Sequence, residues 1–416
     1  IDPDFASAYS MLSVMHNRIG RLKRSAEYAE KAYGLRDRVG EYEKLRIASR
    51  YHGFVNGDET RRIEVLMLQK RMYPRDCSGP NDLAGAYNRI GKFDQAIAEA
   101  RESIGLNPNF TPAHRLLGWA LLRLNRFAEA SDALTQALQQ KLDTMDFHYL
   151  LYEIAFINND RAGMQQQLDW TLGKPEEYVA LEWQTGAAAF EGRWRRAKNF
   201  SRRAIDLASR GDAKEVAARY EAEQALRDAV FGQLAPAKAA AAQSLELEHN
   251  QVTLTRAALA LALCGEPSQT QSLVDELAKR YPKDTLVNGL WLPTIKAELE
   301  LQRGNAAQAI ELLEAARRYE PAAEFWPQYV RGQAYLKLNK GAEARAEFQK
   351  ILDHRGEGLL SALYPLAHLG LARAAVLTGD VAKSRSAYQE FLTLWGSADP
   401  DTSILIEAKK ESEKVK

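Results

Sequence analysis

Small and apolar residues return along this chain at a fixed interval. Between Cys77 and Phe110, the residues Leu83, Ala84, Tyr87, Gly91, Ala96 and Ser103 stand at offsets that recur 34 residues later as Leu117, Gly118, Leu121, Asn125, Ala130 and Ala137. A repeat of that length, with an apolar stripe on either side of a glycine or asparagine, predicts a helix–turn–helix unit. The turn residue can be followed as Gly20, Gly57, Gly91, Asn125, Asn159, Gly192, Gly232, Gly265, Gly304, Asn339 and Gly379, which makes eleven units. Only glycine, or less readily asparagine, accepts the left-handed conformation that commonly ends a helix, so the slot is closed to other residues. Intervals run from 33 to 40 residues, and the longer ones place extra chain near Arg210-Gly211, Lys283-Asp284 and Arg355–Gly358. Those stretches are expected to carry extended helices or loops and to be the first sites of proteolysis.

Two helices approach closely only where the side chains at their crossing are short. On the first helix of each unit the crossing residue reads Ser13, Ala84, Gly118, Thr185, Ala225, Ala258, Ala297, Gly332 and Ala372. On the second it reads Ser25, Ala96, Ala130, Ala197, Ala237, Thr270, Ala309, Ala344 and Ser384. Two units break the pattern at both places, the second with Arg50 and Arg62 and the fifth with Tyr152 and Met164. Either the helices splay there or the register slips.

Composition narrows the function more than the fold. Lys and Arg number 56 against 55 Asp and Glu, and no region is basic enough for a string of phosphate contacts, so nucleic acid is not an expected partner. The longest uncharged apolar run, 257–265, falls far short of the roughly 20 residues that cross a bilayer. No membrane contact by this chain is expected. Cys77 and Cys264 match no metal or redox spacing and read as small apolar fillers. The 7 histidines are scattered, with no metal pair, and neither a phosphate loop, a kinase signature nor a nucleophile elbow is present. No catalytic residue, metal ligand or cofactor is therefore assigned, and this chain is not read as an enzyme.

The spacing and the small crossing residues make the stretch from Asp2 to Trp395 resemble the tetratricopeptide repeat. That resemblance implies an all-α, right-handed superhelical solenoid of about eleven helix pairs over residues 1–397. Residues 398–416, whose polar composition suits the outer face of a last helix, would form a C-terminal capping helix and tail. From His368 the chain is more narrowly similar to the C-terminal repeats of large bacterial proteins that carry a eukaryotic-like Ser/Thr kinase or a winged-helix regulator domain. With Ile1-Asp2-Pro3 looking like the end of a repeat, the sequence is expected to be cut from such a parent. The setting implied is a soluble bacterial domain, with its side of the membrane, and any anchoring of the parent, left open.

In this family the first helices line a concave groove that receives a peptide or a helix of a partner protein. Tyr87, Tyr335 and Tyr388 fall at offsets where the family buries rings. Tyr51, Trp119, Tyr149 and Phe156 fall on the groove-lining face, beside Asn81, Asn88, Arg89, Arg115 and Arg123. Arginine and asparagine offer multi-donor contacts suited to carboxylates and peptide backbone. The expected partner-binding set is Tyr51, Asn81, Asn88, Arg89, Arg115, Trp119, Arg123 and Tyr149. The family's clamp for chaperone C-terminal carboxylates wants Lys and Asn where this chain has Ser10 and Val14, so that activity is not implied. The alternative to an interaction scaffold is a sensory or regulatory arm, whose ligand alters the output of a kinase or transcription-regulator domain.

Overall fold

The computed structural model describes residues 4–211 and 213–415, which are helical throughout apart from turns and short connections. The chain forms two compact units, one from the residues up to Ala155 together with Arg280–Asn288, the other from Phe156–Lys279 together with the chain after Asn288. The first unit contains the pairs Ala6–Arg18 with Leu22–Gly34, Glu41–Tyr51 with Glu59–Met72, Ser78–Arg89 with Phe93–Leu106, and Thr111–Arg123 with Phe127–Gln139. Most of the helix Met145–Ile157, which opens the fifth pair, also belongs to it. The second unit continues with Arg161–Thr171, then the pairs Glu177–Phe190 with Trp194–Arg210, Lys214–Val230 with Leu234–Leu247, and Gln251–Leu263 with Pro267–Arg280. It ends with Leu292–Gln302 and Ala306–Leu313, Trp326–Lys337 and Gly341–Asp353, Leu363–Leu377 and Val381–Leu394, and the last helix Ser403–Lys414.

All eleven predicted turn residues have positive φ, between 53° at Asn159 and 89° at Gly304. In most pairs the following residue closes the turn by donating its N–H five carbonyls back, as Lys92 does to Tyr87 and Arg193 to Ala188, each at 2.9 Å. This six-to-one bond satisfies a carbonyl that a helix end would otherwise leave bare. The crossing residues are buried, and two of them tie the helices directly: Ser25 Oγ donates to the Ser13 carbonyl at 2.8 Å and Ser384 Oγ to that of Ala372 at 3.1 Å. A methyl group at Gly332 would sit 2.7 Å from the Phe348 ring, so that crossing admits no larger residue.

The second pair departs from this pattern for an identifiable reason. Its first helix ends in a π-turn, His52–Asn56, and Asp58 closes the turn on the His52 carbonyl, one residue further back than in the other pairs. The inserted residue rotates everything before it by one position. Ser49, buried and bonded back to the Arg46 carbonyl, takes the small crossing site, and Arg50 moves onto the next face. Arg62 passes Gly53, where a Cβ would lie 2.8 Å from its Cδ. The register slips, as one of the two sequence alternatives had it. Tyr152 is buried and Met164 half-buried.

Two of the three stretches where proteolysis is expected to start are anchored. Asp284 is buried, its carboxylate caps the N–H groups of Leu286 and Val287, and Thr285 donates its N–H to the Gly57 carbonyl at 2.9 Å. Gly356–Gly358 lie buried in a short 3-10 turn. Long intervals here carry chain that packs back onto earlier repeats. Within the second unit, Trp395 does the same: its indole donates to the Phe190 carbonyl at 3.1 Å, stacks on Phe231, and lies where a Cβ on Gly192 would be. Asp399 then receives the Arg195 N–H at 2.8 Å. The last helix packs through Leu405 and Ala408, and Glu411 takes bonds from Arg373 and Tyr388.

Candidate functional site

The face expected to line a groove corresponds to residues ten, six, three and two before each turn residue. In the fourth pair these include Arg115, Trp119 and Arg123. Trp119 is only partly buried, and the Arg123 guanidinium lies 4.0 Å over its ring. Arg115 reaches Asp146 of the next helix at 3.4 Å. Loss of hydration lowers the Arg115 pKa, Asp146 opposes that shift, and the charge of Arg18 from the first pair adds to it. Tyr149, one repeat further, donates to Glu153 at 2.8 Å.

The third pair contributes residues held more tightly. Asn88 is buried and donates to the Leu116 carbonyl of the next pair at 3.1 Å. Asn81 is buried and donates to Asp82 at 2.9 Å. Arg89 meets Glu59 at 2.9 Å, and Glu59, 1% exposed, also receives Arg62 at 3.3 Å. One buried carboxylate thus serves two guanidiniums. Burial raises the pKa of neighbouring Asp284, against the pull of Arg89 and its backbone N–H bonds.

Tyr51 lies elsewhere. With the register shifted by the π-turn, its ring stacks on Tyr33 of the preceding pair, centroids 3.9 Å apart. Phe156 is buried edge-on against Phe190 at 5.1 Å and belongs to the second unit's core. Tyr87 and Tyr388 are buried as expected, and Tyr335 only partly.

The same shift brings Arg46 and Arg50 to the face that carries Asn81, Arg115 and Trp119. Sequence reasoning missed both. Arg50 is only 9% exposed, its one hydrogen bond runs from Nη1 to Ser10 Oγ, and no carboxylate of the described residues pairs with it. Burial pushes its pKa down to about 10, and Arg46 adds to the lowering while Asp82 opposes it. Arg46 lies over the Tyr42 ring at 5.4 Å, and its buried Nε has no partner. The available signal was the pair of arginines at two sites where small residues otherwise stand. Among the described residues, no group of His, Cys, Asp and Glu is arranged to hold a metal ion, and no helix is long and apolar enough to cross a membrane.

Helix pairs closed by a left-handed turn, crossing on small residues and presenting their first helices on one face, define a repeat scaffold of the protein-interaction class. Tetratricopeptide repeat models match residues 91–152, 296–353 and 329–400. The chaperone protein YscY of Yersinia enterocolitica is 35% identical over 118 residues, 28% of this chain and 90% of that protein. The protein of the same name from Yersinia pestis matches to the same extent. The chain belongs to the tetratricopeptide repeat family. Among solved structures, yeast Tom70 aligns at 13% identity over 99% of this chain and 95% of its own, with a TM-score of 0.41. The P58(IPK) TPR domain aligns at 16% identity over 90% of this chain and 98% of its own, with a TM-score of 0.27.

Proposed function

We propose that the first unit binds an extended or helical segment of a partner protein along the face built by the first helices of its second, third and fourth pairs. The observation that carries this reading is Trp119, a large ring left partly exposed on that face between Arg115 and Arg123. An aromatic anchor flanked by arginines is the composition of a binding hot spot, because it combines area to desolvate with directed hydrogen bonds. Asn81 and Asn88, buried and bonded within the repeats, hold the floor beneath the exposed residues, and Arg89 and Tyr149 extend it on either side. Tyr51 supports the face from behind through its stacking on Tyr33. The chaperone name carried by the Yersinia relative is consistent with a protein as the partner.

Truncating one such anchor costs on the order of 2 kcal/mol, about thirtyfold in affinity. Trp119→Ala and Arg115→Ala are each expected to weaken a partner, identified by cross-linking to this face, by about that factor in titration calorimetry. Both variants should keep the wild-type melting temperature. Unchanged affinity in the double variant, or a collapse of the fold on removal of Trp119, refutes the assignment.

A further inference from the structure

We propose that Arg46, Arg50 and Arg62 form a receptor for the side-chain carboxylates of an acidic peptide segment, set in the binding face of the first unit. The inference rests on the groove reading above and adds the chemistry of the partner. Charged side chains are rarely buried without a counter-charge, because the interior does not replace the hydration they lose. Arg50 is buried and makes a single bond, to a neutral hydroxyl. Its nearest charges include Arg46 and Arg62, which repel it, while Asp82 is too far for an ion pair. Within the cluster Arg62 and Arg89 share Glu59, Asp284 also acts on Arg89, and Asp82 is the carboxylate that acts on Arg50. Arg46 and Arg50 form no ion pair among the described residues.

The fold brings this about by construction. Without the π-turn at His52–Asn56, Arg50 would stand at the helix crossing; with it, Arg50 stands on the face of Asn81 and Trp119. Arg62 reaches the same face past Gly53, and its Nη2 comes within 4.0 Å of where a Cβ on Gly85 would be. A glycine at 85 leaves the space in front of the guanidiniums open. Guanidiniums bind carboxylates through paired N–H groups in a fixed fork, which suits successive glutamate or aspartate side chains better than a single small anion.

The test uses the full chain and a fluorescein-labelled glutamate decapeptide, followed by anisotropy, with a glutamine decapeptide and inorganic phosphate as comparisons. The glutamate peptide is expected to bind, the glutamine peptide to bind at least tenfold more weakly, and millimolar phosphate to leave the complex intact. Arg50→Met should weaken the glutamate peptide at least tenfold and leave the melting temperature of the free chain unchanged or higher, since it removes an unpaired charge. Arg126→Gln, an equal loss of charge at an exposed site paired with Glu129, should change nothing. Equal binding of both peptides, equal binding to Arg50→Met, displacement by phosphate, or unfolding of Arg50→Met would each overturn the proposal. If Trp119→Ala still weakens the cross-linked partner while the glutamate peptide fails to bind, the groove reading survives and only the acidic receptor falls.

Discussion

The two units use one repeat design but differ in how they treat a buried arginine. In the second unit, Glu182 stands where Arg115 stands in the first, and it is bonded to Arg227 at 2.7 Å. Arg256 meets Glu223 at 2.9 Å, and Arg331, wholly buried, is held by Glu320 and by Glu347 at 2.7 Å. Each of these charges has a counter-charge from a neighbouring helix. In the first unit Arg50 is buried as well and, among the described residues, has none. Burying a charge in this architecture is therefore ordinary, whereas leaving it unpaired is the exception that marks a place for something else to bind.

Glu298 shows the other way out of the same difficulty. It stands six residues before its turn, as Trp119 does, is 3% exposed, and among the described residues has only the Gln302 amide for a partner, at 2.7 Å. Burial pushes its pKa up to about 7, with Gln302 and Lys337 opposing, so it can shed its charge by taking up a proton. Arg50, still at about 10, stays charged at neutral pH and has no such route.

The comparison breaks most visibly if the paired and unpaired arginines respond alike to the same substitution. Arg331→Met is expected to destabilise the second unit by on the order of 3 kcal/mol, because Glu320 is left buried without its cation while Glu347 keeps Lys350. Arg50→Met should destabilise not at all. Urea unfolding of the two variants measures both, and equal losses would mean that Arg50 is structural.

The fold was legible where one residue type alone can do the work. The left-handed turn within the pairs falls on Gly or Asn, and most crossings fall on small residues, so Gly91 and Ala96 could be placed from sequence. The position of Trp119, Arg115 and Arg123 on one face was legible, since it follows from those landmarks by counting. Counting fails across an inserted residue. Nothing in His52–Asn56 announces a π-turn, so Tyr51 was assigned to the groove and Arg46 and Arg50 were passed over. The anchoring of Asp284 beside Gly57 was hidden for a different reason: it joins residues 226 positions apart, as Glu59 N–H to Thr285 Oγ1 shows, and no local pattern encodes such a contact.

Acid titration sharpens the contrast at a slightly smaller scale. The folded-state pKa of Glu298, about 7, lies above the ordinary 4.5, so the folded chain holds the proton more tightly than the unfolded one. Its contribution to stability is complete below pH 4.5 and is lost as pH rises to about 7. The loss is about 3 kcal/mol at most. Glu298→Gln keeps the shape and the amide contact without the charge, and should flatten that part of the stability profile. A profile between pH 5 and 7 that is identical in wild type and variant would mean that Glu298 is solvated in the folded state.

The smallest expected effect concerns what the units share. Asn125 in the first unit and Asn339 in the second hold φ at 59° and 57°. Asparagine tolerates this region, whereas an alanine Cβ crowds the following carbonyl and costs roughly 1 kcal/mol or slightly more. Asn125→Ala and Asn339→Ala should therefore lower stability by nearly equal amounts, a shift of roughly 2–4 °C in the transition of a unit of this size. Calorimetry on the two single variants gives the comparison directly. Equal shifts would show that the turns are interchangeable and that the difference between the units lies in their inner faces alone. A much larger loss at Asn125 would show that the first unit leans on that turn beyond its backbone conformation, and its unpaired arginines would then have to be explained by strain rather than by a ligand.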